Sequence, residues 1–389
     1  MNLGRTVFAQ FIDQLPHREF SKCVARYNGN YRTRSFSCWN QFLCMAFAQL
    51  AGLDSLSETV ACLRTSDKKL YHLGLRGQIS KSTLAKANEL RDWRIYQDFA
   101  LHLIGVAQKL YVGESWSETL KQPVYAFDSS TIDLCLTLFP WAKFRKHKAA
   151  IKMHTLLDVV SQIPMVINIT MGKIHDVNLL DKLVYEAGAT YLMDRGYLDY
   201  TRLYRLHNSK AFFVTRAKKN SNFQRMESRP INKETGVVRE QMVRLHNPSM
   251  AKNYPERMRR IVYVDPESKK KLVFLTNHFE LSAETIAALY RSRWKVELFF
   301  KWVKQNLRIK AFFGNSENAV KTQIWIAITM YVLAAIMKKR MNLEAPLSKI
   351  LLVFRIHSFE KTPLQEALYE NGLLKKECDS CKQLLLFDF

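Results

Sequence analysis

Between residues 124 and 215, short runs of β-branched and aromatic residues give way to an alternation of helical and strand patterns. That rhythm restricts the fold more than any other feature of the chain. Residues 124–132, 151–160 and 164–170 read as three strands. A helical pattern follows over 176–187. The apolar strand 190–193 then ends on Asp194 and turns at Arg195-Gly196-Tyr197, before a helix over 199–208 and a strand over 211–215. Three strands followed by alternating helix and strand predict an α/β sheet with helices packed on it.

Two carboxylates sit where such a sheet makes them conspicuous. Asp128 lies inside a predicted strand, where charge is costly unless it is paired or metal-bound. Asp194 ends a second strand, and α/β sheets place ligands at the carboxyl ends of strands. Asp133 is an odd number of residues from Asp128 and points to the opposite pleat face. Asp158 and Asp176 read as structural or supporting residues. Lys152 and His154 read as phosphate or core contacts rather than metal ligands.

A third carboxylate lies on a helix. Residues 290–304 contain neither Gly nor Pro, and their apolar residues recur at helical spacing. At about 100° per residue, Tyr290, Arg293, Glu297 and Lys304 share an arc of roughly 60°, with Trp294, Lys301 and Arg308 beside them. Leu289, Val296, Phe300, Val303 and Leu307 form a flanking stripe that can bury. Taken alone, Arg293–Glu297 and Glu297–Lys301 are i,i+4 pairs of the kind that usually decorate a solvated surface, worth a few tenths of a kcal/mol. The two aspartates change the weighting. Three carboxylates suffice for two Mg²⁺ ions at roughly 3.5–4 Å, the arrangement that serves phosphoryl transfer, with Mn²⁺ as a substitute.

The charge balance names the partner class. Lys and Arg total 59 against 35 Asp and Glu, a net charge of +24 and a pI near 9.7. Such a field attracts polyanions, double-stranded DNA foremost and an anionic membrane surface a distant second. The first residues lack a signal-peptide core, and the apolar run 324–337 is short of the ~20 residues needed to span a bilayer, so a buried helix and a cytoplasmic, nucleoid-associated protein are expected. Seven cysteines without a disulfide rhythm fit a reducing compartment, and Cys378-Asp-Ser-Cys381 has no second pair to complete a zinc site.

The N-terminal part, about 1–115, reads as helical. Stripes at Phe8–Leu15, Trp39–Leu50 and Leu56–Leu63 precede breaks at Gly74 and Gly77, and a basic helix over 80–96 carries Lys81, Lys86, Arg91 and Arg94. That order suggests a helix-turn-helix-like DNA-binding domain. A catalytic domain is expected over 116–340, with a β-rich insertion at about 216–282. Residues 216–271 hold 15 Lys or Arg against 6 Asp or Glu, net +9. The tail 341–389 is open to dimer contacts or to plain packing.

The Asp128 strand, Asp194-Arg195-Gly196-Tyr197, and the spacing Tyr290-x₂-Arg293-x₃-Glu297-x₆-Lys304 together resemble a bacterial insertion-sequence DDE transposase of the IS-four family, over roughly residues 120–340. The resemblance implies an RNase H-like core in which Asp128, Asp194 and Glu297 bind two Mg²⁺ ions. It also implies that Tyr290, Arg293 and Lys304, with Arg195 and Lys301, hold DNA phosphates, that Trp294 stacks on a flipped base, and that a homodimer pairs the element's ends. Some relatives carry a second stacking Trp in the insertion. None stands here between Trp141 and Trp294, which leaves Phe223, Tyr254 or Tyr263 as stand-ins or a different hairpin step. Two rival readings share these residues: an RNase H-like nuclease that does not rejoin strands, and an inactive DNA-binding regulator.

Overall fold

The computed structural model describes residues 4–65, 70, 71, 75, 77–118, 120–219, 221–232, 235–306, 312–370 and 372. Gly74, Leu307, Arg308, Cys378 and Cys381 lie outside the described residues. The chain divides into two compact units, one of residues 111–301 and the other of the residues before and after that stretch.

The chain begins with helices α1 (Val7–Ile12), α2 (His17–Arg26), α3 (Cys38–Ala51), α4 (Leu56–Thr65), α5 (Lys81–Leu90) and α6 (Arg94–Leu110). Their ends follow local chemistry. The Ser37 hydroxyl accepts the Asn40 N–H at the start of α3, and Gly52 ends that helix at φ 69°, a conformation that glycine adopts without a Cβ clash. The basic pattern over 80–96 is two helices rather than one. Ser80 caps α5, but Arg91 is extended at φ −79°, ψ 135° and breaks the run before α6.

The strands and helices of the second unit are β1 (Val124–Leu134), β2 (Lys143–Arg145), β3 (Lys148–Asp158), β4 (Pro164–Met171), β5 (Thr190–Met193), α7 (Tyr200–Asn208), β6 (Phe212–Arg216), β7 (Phe223–Arg229), β8 (Val237–Leu245), α8 (Pro248–Asn253), β9 (Met258–Val264), β10 (Lys271–Thr276) and α9 (Ala283–Ser292). Helix α10 (Trp294–Asn306) follows, and then α11 (Glu317–Arg340), α12 (Leu347–His357) and α13 (Leu364–Glu370). The expected helix over 176–187 is instead a short 3₁₀ stretch, Asp176–Lys182, followed by irregular chain. Burying Leu179, Leu180 and Leu183 against the sheet needs only those two turns.

The ten strands among the described residues form one sheet, in the order β2-β3-β1-β5-β6-β10-β9-β8-β7, with β4 beside β3. β1 and β4 pair antiparallel with β3, whereas β1, β5 and β6 run parallel. The order β4-β3-β1-β5-β6 with this mixture of directions is that of an RNase H-like core. The basic insertion does not hang off this core. Its strands β7 to β9 lead through β10, which pairs with β6, and so lengthen the same sheet. Side chains alternate across a strand. Phe127 and Met193 therefore point into the core with Tyr125, Tyr191 and Phe213, under Leu203 and Leu206 of α7. The residues that follow them, Asp128 and Asp194, turn to the other face.

Helix α11 explains the division into units. It is the one described helix long and apolar enough to cross a membrane, and 94% of its apolar window is buried. Its residues from Ala319 to Met337 are nearly all buried, so it has no solvated face and must be surrounded. Helices α3, α5, α6 and α12 surround it. The expected catalytic-domain boundary near 340 therefore does not match the packing: residues from Trp302 onward belong with the N-terminal helices. The tail closes onto the first helix. The Phe11 and Phe354 rings lie 4.3 Å apart, and the Val7 N–H donates to the Glu360 carbonyl at 2.9 Å. Packing accounts for the buried apolar residues of its described part, such as Ile350, Val353, Phe354 and Leu368.

Candidate active site

Register positions the two aspartates. In the parallel pair β1–β5, Ala126 faces Leu192 and Phe127 faces Met193, so Asp128 and Asp194 emerge side by side at the ends of the paired stretch. A tyrosine fixes the turn after Asp194. The Tyr197 N–H donates to the Asp194 carbonyl at 3.0 Å, and its ring packs edge-on to Phe127 at 5.0 Å.

The third carboxylate comes from the helical stretch. The expected single helix is interrupted at Arg293, which keeps αR angles (φ −52°, ψ −30°) but leaves the i→i−4 ladder. Its N–H reaches Tyr290 and its carbonyl receives Val296, both i→i+3 bonds, a tightening of the chain at the residue that matters most to the site. Glu297 falls in the first turn of α10, where a carboxylate is favoured by the helix dipole. Leu289, Val296, Phe300 and Val303 are buried as their spacing requires.

Arg293 gathers the acids. One guanidinium nitrogen donates to the Asp128 carboxylate at 2.8 Å and another to Glu297 at 2.5 Å. The guanidinium lies 5.7 Å from the centre of the Tyr290 ring, and the Tyr290 hydroxyl donates to Asp194 at 3.3 Å. Asp128, Asp194, Glu297, Tyr290 and Arg293 therefore form one contact network. Burial pushes the Asp128 carboxyl up to about 6, with the Glu297 and Asp194 charges adding to the rise and the Ser129 N–H and Arg293 opposing it. Burial likewise pushes the Tyr290 hydroxyl up to about 12.

Three carboxylates are the all-oxygen donor type that a hard divalent cation prefers, and donor type is the respect in which they match one. Here the positive charge among them is the Arg293 guanidinium. Among the described residues, no three His, Cys, Asp or Glu side chains stand close enough to hold a metal ion.

The remaining expected residues divide. Trp294 is 58% exposed, and Lys301 and Arg195 are also exposed. Lys304 is half-buried on α10, past the point where the chain leaves this unit. His154 is a core residue: it is 1% exposed, its Nε2 meets the Thr170 hydroxyl at 2.9 Å, and burial depresses its pKa to about 4. Lys152 pairs with Asp176 at 3.0 Å. Tyr254 and Tyr263 are buried and cannot stand in for a stacking Trp, while Phe223 is half-buried. Sequence reasoning missed Tyr197 as a support of the site; its place in the Asp194 turn was the only signal.

Residues 119–333, more than half of the chain, match the family described as the transposase DDE domain. The chain belongs to the DDE transposase family. The DDE match spans β1, β5 and the Arg293 helices, and so all three carboxylates. Residues 3–76 match a family described only as a domain of unknown function. A putative transposase from Sinorhizobium fredii is 35% identical over 57% of this chain, and the match spans 62% of that relative's length. A probable transposase for insertion sequence element IS5377 from Geobacillus stearothermophilus is 31% identical over 64% of this chain and 67% of its own. A putative transposase for element IS4SA from Synechocystis is 24% identical over 69% of this chain and 76% of its own.

Proposed function

We propose that the protein is the transposase of a bacterial insertion sequence of the IS-four type. In this reading it binds terminal inverted repeats, cuts the 3′ strand by hydrolysis and joins the freed 3′-OH to target DNA. The observation that carries the reading is the network through which Arg293 and Tyr290 tie Asp128, Asp194 and Glu297 together on one face of the sheet. The transposase names of the relatives and the net charge of +24 support it.

Asp128, Asp194 and Glu297, drawn together once the DNA backbone takes over the Arg293 guanidinium that now lies among them, would hold the divalent metal, two Mg²⁺ ions or Mn²⁺ in their place, which when bound supplies Lewis-acid stabilisation of the phosphate undergoing displacement. The chain's own residues hold the DNA. The planar fork of Arg293, held here by Asp128 and Glu297, would exchange those carboxylates for two phosphate oxygens on DNA, and the Tyr290 ring keeps that fork from rotating away. Lys304, Lys301 and Arg195 supply further phosphate contacts. The exposed Trp294 offers a face on which an unstacked base rests. Positioning and electrostatics carry the rate, with no covalent bond between protein and DNA. A homodimer would hold the two ends.

Glu297→Gln is the direct test. Cleavage of an end-containing duplex with Mg²⁺ should fall by about 10²-fold or more, the scale of losing one preorganised charge at a phosphoryl-transfer site. Wild-type nicking by the purified variant would remove the assigned acid. Strand joining with pre-cut ends and a target plasmid separates a transposase from a nuclease that only hydrolyses.

A further inference from the structure

Of the basic residues expected to read DNA in the N-terminal helices, Lys81 and Lys86 are exposed but the two arginines are already engaged. Arg91 donates to the Ser37 carbonyl at 2.8 Å, to the Phe36 carbonyl, and to the Gln41 side chain at 3.0 Å. Arg94 pairs with Asp92 at 2.6 Å. What Arg91 holds is the end of another feature, the loop between α2 and α3: Tyr27-Asn-Gly-Asn-Tyr-Arg-Thr-Arg-Ser-Phe-Ser37.

This loop is shaped and presented outward. The Gly29 N–H closes on the Val24 carbonyl at 2.9 Å, the Asn30 side chain accepts the Cys38 N–H at 2.8 Å, and the Asn40 amide reaches the Ser35 carbonyl. A Cβ at position 29 would lie 2.5 Å from Ile95 and 2.7 Å from the Cys38 sulfur, so only glycine lets the loop fold down this closely. At its outer edge, Tyr31 is 70% exposed, with the Arg32 guanidinium 5.1 Å from its ring centre. Arg32 and Arg34 are both exposed, and neither is held by an ion pair among the described residues. Behind Tyr31 lies a cleft of about 520 Å³ whose walls include His17, Trp39, Asn28, Asn30 and Ser37. The Trp39 ring is braced on one side by Phe42, stacked at 5.2 Å, and edge-on by His17 at 4.7 Å.

Two guanidinium groups beside a wide, aromatic-walled cleft with amide donors are the chemistry of a nucleic-acid strand. Cations track phosphates, and rings and amides accept a base that has left its stack. We propose that the loop 27–37 and its cleft bind a DNA strand, with Arg32 and Arg34 on consecutive phosphates and an unpaired base between Tyr31 and the Trp39 wall. The cleft's volume is ample for one nucleotide, and its openness to solvent suits a strand that enters and leaves. This gives a role to the segment that matches a family of unknown function. It rests on the reading that the protein acts on DNA, and deepens it by separating strand binding from the carboxylate site.

The test uses the full chain and two fluorescein-labelled probes of mixed sequence, a 30-nucleotide single strand and the matching 30-base-pair duplex, by anisotropy between 50 and 200 mM salt. Arg32→Ala/Arg34→Ala should weaken both probes at least tenfold and lower the salt slope by about 2, one for each phosphate released. Tyr31→Ala should weaken the single strand about tenfold and the duplex less, with Tyr31→Phe restoring wild-type affinity. All of these positions are exposed, so unchanged thermal melting accompanies the losses. Wild-type affinity and salt slope in the double variant overturn the assignment of the loop. If Tyr31→Ala binds the single strand as the wild type does, there is no base in the cleft. A wild-type protein that binds neither probe overturns the DNA reading as a whole. Glu297→Gln keeps the two proposals apart: cleavage should be lost while binding by the loop is unchanged.

Discussion

Burial holds the Asp128 carboxyl at about 6, against an ordinary value of 3.8, so its ionised form is disfavoured in the folded protein. A raised carboxyl contributes stability that is complete below pH 3.8 and is lost as the pH climbs through 6. Above that, the charge costs up to about 3 kcal/mol at 1.36 kcal/mol per pKa unit. Asp128→Asn removes the charge and keeps the shape. In divalent-free buffer at pH 7.5 it should melt several degrees higher than the wild type, with the difference shrinking toward pH 4. A variant that melts lower at pH 7.5 would mean that the Arg293 contact outweighs burial. Sites that must grip a cation are where a chain carries uncompensated charge, and stability is given up for function there. Asp128 and Asp194 were legible in the sequence because an aspartate in or at the end of an apolar strand has few structural uses. Arg293 was legible only as a helix-face cation; that it spans two carboxylates depends on β1, 165 residues away in the chain.

At the scale of elements, the joint between the insertion and the core, where β10 pairs with β6, is braced by one side-chain amide. Asn277, just past β10, accepts the Phe213 N–H at 2.8 Å and donates to the Ala211 carbonyl at 2.9 Å. It is 5% exposed, so Asn277→Ala strands two buried backbone groups and should cost about 2–4 kcal/mol in urea unfolding. A loss below about 1 kcal/mol would show that the strand pairing alone carries the joint. The strands with alternating or continuous apolar residues, such as Val237–Leu245 and Met258–Val264, were readable from the sequence. β7, Phe-Gln-Arg-Met-Glu-Ser-Arg, was not. It is an edge strand with most side chains exposed, and a solvated edge leaves no hydrophobic period to read. The helix breaks at Arg91 and Arg293 were also missed, since neither falls at a Gly or Pro.

For the molecule as a whole, the helical unit is assembled from the two ends of the chain. Asn318 at the start of α11 donates to the Asn88 carbonyl at 2.9 Å and to the Arg91 carbonyl at 2.5 Å, while accepting the Trp93 N–H. Gln49 of α3 donates to the Gln323 carbonyl at 2.7 Å. Residues 1–110 expressed alone therefore lack the helix that fills their core. They should show no cooperative thermal transition by circular dichroism, and co-expression with residues 302–389 should restore one. A cooperative melt of the isolated fragment would refute this assembly.

The sequence by itself determined the α/β class, the aspartates within and just after apolar strands, the glutamate on its helix face and the polyanion-seeking charge, because each is written in local periodicity, residue type or summed charge. Only the tertiary structure decided that the insertion lengthens the sheet, that α11 serves the N-terminal helices, and that Arg91 is spent on holding a loop. Those outcomes turn on which buried surfaces and unsatisfied backbone groups find one another across the chain, and no local pattern encodes that choice.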